Sequence, residues 1–275
     1  MQTRHCDLEA ETPDGTRLAY TAYGPPAATE RIVLVHSLAM DRGFWRPVAE
    51  RLGDRAAVIT YDCRGHGRSG KPRGAMRVAQ HADDLAALMD HLDWPEAVVA
   101  GASMGGCISL ACTIAHPARV AALGLIDTTA WYGPDAPKAW GERANAARTK
   151  GLAALIDFQV TRWFGDAFRA QHPDTVRASV DTFLRNDVEA YAQTCAMLGA
   201  CDLRAGLPAI QIPTAILVGE DDYATPPAMA QALHAAIANS TLTVLKGARH
   251  LTPLERPDDI AAGLKQLLQH AGTST

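Results

Sequence analysis

Val98-Val99-Ala100-Gly101-Ala102-Ser103-Met104-Gly105-Gly106 decides how this chain is read. An apolar run breaks abruptly into Gly-x-Ser-x-Gly, and a helical stretch of small residues follows. That pattern predicts a strand, a sharp turn at Ser103, and a helix that begins at once. A serine on such a turn has a strained backbone, so its neighbours two positions away must be nearly free of side chain. Gly101 and Gly105 meet that need, and Gly106 lets the helix pack close to the strand. The hydroxyl is then thrust above the sheet edge, beside the positive end of a helix dipole. Serine between glycines also occurs in ordinary turns. The strand before it and the helix after it single out Ser103 as a nucleophile.

The flanking segments repeat the alternation of strand and helix. Residues 5–23 alternate weakly and turn at Pro13-Asp14-Gly15, a hairpin signal. Ile32-Val33-Leu34-Val35 is fully apolar, as in a parallel strand covered on both faces. Residues 44–52 have helical spacing. Ala56-Ala57-Val58-Ile59-Thr60-Tyr61 is the next strand, ended by a glycine-rich loop at 62–70. Residues 76–92 form an amphipathic helix. The helix after Ser103 runs to about His116 and stops before Pro117, and 120–126 is again a strand. From 128 to 207 no strand is legible, only helix-like pieces separated by Gly and Pro. Alternation resumes with Thr214-Ala215-Ile216-Leu217-Val218, a helix after Pro226-Pro227, the strand Leu242-Thr243-Val244-Leu245, and a helix from Pro257 to about His270. Repeated β-α-β units imply the α/β class, with a mostly parallel central sheet flanked by helices. The expected organisation is a core in two parts, 1–127 and 208–275, interrupted by a helical lid at 128–207. Residues 271–275 read as a frayed end.

Composition narrows the classes of function. The 275 residues can bury a full core as one large domain or two small ones. The apolar share of 48% is ordinary for a globular chain, and no apolar run is long enough to span a bilayer. A net charge of -4 without a basic stripe speaks against nucleic acid. The opening Met1-Gln2-Thr3-Arg4-His5-Cys6-Asp7 is too polar for a signal peptide. The six cysteines show no C-x-x-C spacing and read as reduced, mostly buried thiols in a cytoplasmic protein. No metal and no cofactor are expected.

A serine hydroxyl is a poor nucleophile until a histidine takes its proton, and that histidine needs an acid to orient it. In a parallel sheet, functional groups collect on loops at the carboxyl ends of strands. Two loops fall there: Gly219-Glu220-Asp221-Asp222-Tyr223-Ala224-Thr225-Pro226 and Lys246-Gly247-Ala248-Arg249-His250. Of ten histidines, His250 is distinguished by that position. His81, His91, His116, His234 and His270 read as surface or core residues of helices, and His36 and His66 as loop packing. Three carboxylates stand in a row as the acid, and Glu220 or Asp221 can equally be solvated charges or helix caps. A tetrahedral intermediate also needs preorganised N–H donors for its oxygen. Met104, directly after the nucleophile, supplies one; the loop His36-Ser37-Leu38-Ala39 supplies the other, with Leu38 placed for it. That loop can also be a plain strand-to-helix connection.

These residues give nearly the whole chain a resemblance to the α/β-hydrolase fold family. Within it the chain is similar to the 3-oxoadipate enol-lactonases of aromatic-compound breakdown. The matching pieces are Ser37-Leu38, Phe44-Trp45, Tyr61-Asp62-x-Arg64-Gly65-His66-Gly67-x-Ser69, the Ser103 turn, Asp222-x-Ala224-Thr225-Pro226-Pro227, His250-Leu251 and Glu255-x-Pro257. Arg162-Trp163-Phe164 and Asp202-Leu203-Arg204 in the lid are the more specific matches. The family places its acid three positions after the glycine ending its strand, which implies Asp222, with Asp221 as the alternative. Two departures reshape the cleft: His36 and Ala39 stand where Asn and Gly are expected, and Trp131-Tyr132 where smaller residues are usual. The resemblance implies a cofactor-free serine hydrolase that opens a small lactone, such as 3-oxoadipate enol-lactone, through an acyl-enzyme. Ser103, Asp222 and His250 would be catalytic, with Leu38 and Met104 as oxyanion donors. Ser37, Trp131, Arg162 and Trp163 would contact substrate, with Trp140 and Phe164 as further apolar walls. Arg162, or another lid arginine, would meet a substrate carboxylate. A general carboxylesterase or a carbon–carbon bond hydrolase of ring-fission products on the same triad is the alternative, and a non-catalytic ligand receptor a more distant one. Dehalogenase and epoxide-hydrolase chemistry would need a carboxylate where Ser103 stands.

Overall fold

An antiparallel hairpin opens the chain, β1 (Arg4–Glu11) and β2 (Arg17–Tyr23), and Gly15 turns it with φ +78. The computed structural model describes residues 4–71 and 74–272. Next come β3 (Arg31–Val35), α1 (Arg46–Leu52), β4 (Ala57–Tyr61), α2 (Val78–His91), β5 (Ala97–Ala102), α3 (Met104–Ala115) and β6 (Val120–Ile126). Helices α4 (Ala136–Lys150), α5 (Ile156–Trp163), α6 (Asp166–Gln171), α7 (Pro173–Leu184) and α8 (Val188–Gly199) intervene before β7 (Thr214–Gly219). The chain ends with α9 (Pro227–Ala236), β8 (Ser240–Leu245), α10 (Thr252–Glu255) and α11 (Pro257–Gly272). Of the predicted frayed end at 271–275, the first two residues belong to α11 and 273–275 lie outside the described residues.

One sheet takes the order β1-β2-β4-β3-β5-β6-β7-β8. It is antiparallel through β2–β4 and parallel from β4 to β8. From β3 the chain steps outward to β4, then returns to the other side of β3 to lay down β5. The loops after β3 and β5 therefore leave in opposite directions, and a crevice opens between them above the carboxyl ends. Every residue of β4, β5 and β7 is buried, as continuous apolar runs require in a sheet covered on both faces. Each buried Val, Ile or Leu there contributes roughly 1.5–3 kcal/mol by leaving water. Helix α3 is buried from Met104 to Thr113, packed on β5, β6 and α2, so its small residues are what fits.

Among the boundaries that differ from the sequence expectation, two have a clear local reason. The predicted helix at 44–52 begins as a 3-10 turn, Arg42–Trp45, whose Gly43 amide is capped by the Asp41 side chain. The α-helix starts only at Arg46, with Pro47 in the first turn where its missing N–H costs nothing. Strand β8 starts at Ser240, before the apolar run at 242–245, because it is an edge strand with one face in water. The glycine-rich loop after β4 is pinned by Arg64, which is buried and pairs bidentately with Asp84 of α2 at 2.9 and 2.6 Å. The same guanidinium reaches Asp14 of the hairpin turn at 2.7 Å and holds its carboxyl well below the usual range. Among the described residues no helix is long and apolar enough to cross a membrane.

Candidate active site

Ser103 sits between β5 and α3 with φ +53 and ψ −116, a conformation L-residues rarely adopt. The glycines around it are sterically required. A Cβ on Gly101 would lie 2.1 Å from the Gly105 carbonyl oxygen, and one on Gly105 would lie 2.1 Å from that of Val35. On Gly106 it would strike the Thr128 side chain at 2.4 Å. The strained turn is held from both ends. The Ser103 amide donates to Ile126 O at 2.9 Å, and the Thr128 hydroxyl donates to Ser103 O at 2.7 Å.

Strand ends bring three distant side chains together above this turn. His250 Nε2 lies 3.0 Å from Ser103 Oγ, and His250 Nδ1 lies 2.8 Å from Asp222 Oδ2. Asp222 is surrounded by donors: Oδ1 accepts from the amides of Ala224 (2.7 Å) and Thr225 (3.0 Å), Oδ2 from the Thr225 hydroxyl (2.9 Å). A carboxylate so placed can only accept, so Nδ1 carries the ring proton and the Nε2 lone pair faces the serine. Burial of the ring opposes its charged form. The Asp222 charge and hydrogen bond outweigh that cost and hold the His250 pKa above the usual histidine value. Of the three carboxylates in a row, Asp222 is buried and faces the ring, while Glu220 and Asp221 are exposed. Glu220 instead accepts from the Gly247 amide at 2.9 Å and ties the two loops together.

A second buried carboxylate behind this triad was not singled out in the sequence. Asp127 follows β6 with φ +46 and accepts from the amides of Gly219 (3.1 Å) and Thr252 (3.0 Å), while the Thr252 hydroxyl donates to it at 2.6 Å. It thereby staples the strand carrying the acid to the turn after the histidine. Burial, then the nearby Asp222 charge, push its carboxyl well above the ordinary range. An acid at the carboxyl end of an otherwise apolar strand was the available signal.

The loop after β3 is a tight turn, with the Met40 amide bonded to Ser37 O at 3.1 Å and Ala39 at φ +59. A non-glycine residue there costs about 1–2 kcal/mol, and the structure supports the turn from both sides. Asn186, past the end of α7, donates to Ala39 O at 2.8 Å. His36 lies beneath, with Nδ1 2.8 Å from Ser37 O and Nε2 accepting from the Cys63 amide at 2.9 Å. Burial lowers its pKa and keeps the ring neutral, so it packs loops, as expected. Among the described residues, neither the Leu38 nor the Met104 amide has a hydrogen-bond acceptor in the protein, which leaves both free to serve a substrate oxygen.

A cavity of about 530 Å³ stands over Ser103 and His250. Ser37, Arg162 and Trp163, the expected substrate contacts, are among the residues that line it. Trp131 does not. Its backbone forms a bridge with Asp202 and its ring lies under the Arg204 guanidinium at 3.7 Å, outside the cavity. Extended backbone sends successive side chains to opposite sides, so Tyr132 faces inward instead. Phe164 is likewise no wall; it is buried and stacks on Phe168 at 5.2 Å. Residues 136, 139, 140 and 143 of α4 line the cavity at helical spacing. That stripe brings Arg143, a lid arginine that the sequence does not single out by number, into the site beside Trp140. Arg143 Nε donates to the Tyr191 hydroxyl at 2.6 Å, and its guanidinium lies over the Trp140 ring at 4.9 Å. Arg162 lies over Phe158 at 4.4 Å. Among the described residues neither arginine has a carboxylate partner, and the two repel each other.

The helices over the cavity are fastened to the histidine loop. The Leu251 amide donates to Trp163 O at 3.0 Å, and Arg249 to Phe164 O at 3.1 Å. Glu255 bridges the two sides, accepting from the amides of Gly165 (3.0 Å) and Arg249 (2.9 Å).

Comparison with known proteins agrees with this fold. The profile of the α/β hydrolase fold matches residues 30–257. The chain is 33% identical over 246 residues to 3-oxoadipate enol-lactonase 2 of Acinetobacter baylyi, covering 90% of this chain and 91% of that one. Among solved structures it is similar to the enol-lactonase from Burkholderia xenovorans LB400, with TM-score 0.91, 33% identity, and coverage of 95% of this chain and 100% of that one. A thermophilic esterase from Thermogutta terrifontis, solved with malate bound, superposes with TM-score 0.89 at 28% identity, covering 98% and 99% of the two chains. Eight strands, a serine on a strained strand-to-helix turn, and relatives that hydrolyse ester bonds lead to one conclusion: the chain is an enzyme, a hydrolase belonging to the α/β-hydrolase fold family.

Proposed function

We propose that this hydrolase opens a small lactone bearing a carboxylate, an enol-lactone such as 3-oxoadipate enol-lactone, through an acyl-enzyme on Ser103. The observation that carries the reading is the continuous chain Ser103 Oγ–His250 Nε2 at 3.0 Å and His250 Nδ1–Asp222 Oδ2 at 2.8 Å. His250 takes the serine proton as Oγ adds to the ring carbonyl, and Asp222 stabilises the imidazolium that forms. The amides of Leu38 and Met104 hold the oxyanion, each worth roughly 3 kcal/mol of barrier. The ring C–O bond breaks, its electron pair leaves on the enol oxygen, and His250 then activates water to release the acid. Helices α4–α8 act as the lid. Arg143 and Arg162, cations in the cavity wall without carboxylate partners among the described residues, receive the substrate carboxylate.

The test compares kcat/KM for an anionic enol-lactone and a neutral aryl acetate in wild type, Arg143→Met and Arg162→Met. A hydrogen-bonded charge pair is worth about 1.5–3 kcal/mol. At least one variant is therefore expected to lose about 10- to 100-fold on the anionic lactone, mainly through KM, and much less on the acetate. Wild-type preference for the neutral acetate over every enol-lactone would instead favour the second reading, a general carboxylesterase. That reading is supported by the likeness to the Thermogutta esterase and by the exposed aromatic rim of Phe158 and Tyr223.

A further inference from the structure

We infer that Tyr132 is a further catalytic residue, its phenol donating a hydrogen bond to the ring oxygen that leaves when the lactone opens. The inference rests on the serine-hydrolase reading above and deepens it. Tyr132 lines the cavity together with Ser103 and His250. The sheet order decides which side of the serine it occupies. β3, whose loop carries Leu38, neighbours β5 on one side, and β6, whose loop carries Tyr132, neighbours it on the other. β7 and β8, which bring Asp222 and His250, lie beyond β6. In the tetrahedral intermediate the oxyanion points to the Leu38 and Met104 amides, and the leaving oxygen points to the imidazolium. Tyr132 thus approaches from the leaving-oxygen side.

The phenol is held in place. Its oxygen lies 3.7 Å from Cys107 Sγ, one helical turn past the nucleophile, and it also interacts with the Ser103 side chain. The ring meets Trp140 edge-on, 5.3 Å between centroids at 82°. Its loop is braced where the sequence pointed to a substrate contact. The Leu203 amide bonds Ala130 O at 2.9 Å, Trp131 bridges Asp202, and Arg204 covers the Trp131 ring. A donor fixed in this way needs little reorganisation as charge develops. Burial raises the phenol pKa well above its usual value, so at neutral pH it donates without surrendering its proton. The proton count closes accordingly. The ring C–O bond breaks, the electron pair goes to the leaving oxygen, the proton taken from Ser103 reaches that oxygen through His250, and Tyr132 keeps its own.

The test is the dependence of kcat/KM on leaving-group pKa. Acetate esters running from nitrophenyl to alkyl are compared in wild type and Tyr132→Phe. Rates are expressed per serine titrated with an organophosphonate, so that any unfolded fraction drops out. The expected result is a steeper dependence in the variant, its loss growing from a few-fold at nitrophenyl to about 10- to 100-fold at the poorest leaving group. A loss of equal size across the series would make Tyr132 a packing residue and overturn the proposal, as would no loss. If wild type hydrolyses none of the esters and no lactone, the serine-hydrolase reading itself fails, and this one with it.

Discussion

Replacing Ser103 with alanine is expected to lower kcat on an enol-lactone by at least about a thousandfold while leaving the fold intact. The turn itself does not depend on the hydroxyl. Its bonds to Ile126 O and from Thr128 use the backbone amide and carbonyl of residue 103. Alanine already carries the Cβ that the φ +53 conformation tolerates here, so a melting temperature close to wild type should accompany the lost turnover. Members of a triad act as one unit, and their losses do not add. Ser103→Ala combined with His250→Ala should therefore be scarcely slower than Ser103→Ala alone. Steady-state kinetics with thermal melting of the same preparations checks both statements.

Asp222→Asn carries the other large effect, a loss of about 10⁴ in kcat. The carboxylate accepts from two amides, a hydroxyl and the imidazole N–H. An asparagine amide group has no acceptor in that ring of donors. It satisfies itself only by turning its NH₂ towards His250 Nδ1, which forces the ring proton onto Nε2 and removes the lone pair that serves Ser103. The pH profile follows with a definite sign. In wild type the His250 pKa is raised by Asp222, so the acid limb of kcat/KM lies above the usual histidine value and activity falls as the ring is protonated below it. Without the carboxylate charge, burial dominates and the ring loses its proton more readily. The acid limb of the residual activity should move to lower pH. A limb that stayed in place, or moved upward, would show that another group titrates.

Much of this arrangement is local in sequence, and that is why it could be read there. The nucleophile turn is legible because Gly101, Gly105 and Gly106 each answer a contact within a few residues of the serine or on its neighbouring strands. The parallel strands are legible because burial on both faces leaves them continuously apolar. His250 follows from its place after β8. The acid is different: three adjacent carboxylates have the same composition, and only the fold turns one of them, Asp222, inward. The cavity wall was least legible. Tyr132 enters the cavity in place of the expected Trp131 because in an extended segment one residue reverses the face. Arg143 reaches the site through the packing of α4, and Asp127 and Glu255 act by bridging loops far apart in the chain. Bridging contacts of that kind leave no periodic trace.

The central claim is a covalent ester on one serine. Rapid-quench mass spectrometry during turnover of an enol-lactone tests it most directly. Ring opening keeps both halves of the substrate attached, so the peptide containing Ser103 should transiently gain the mass of the whole lactone and lose it as product appears. Full-rate turnover with Ser103 never modified, or with the added mass on another residue, would contradict it.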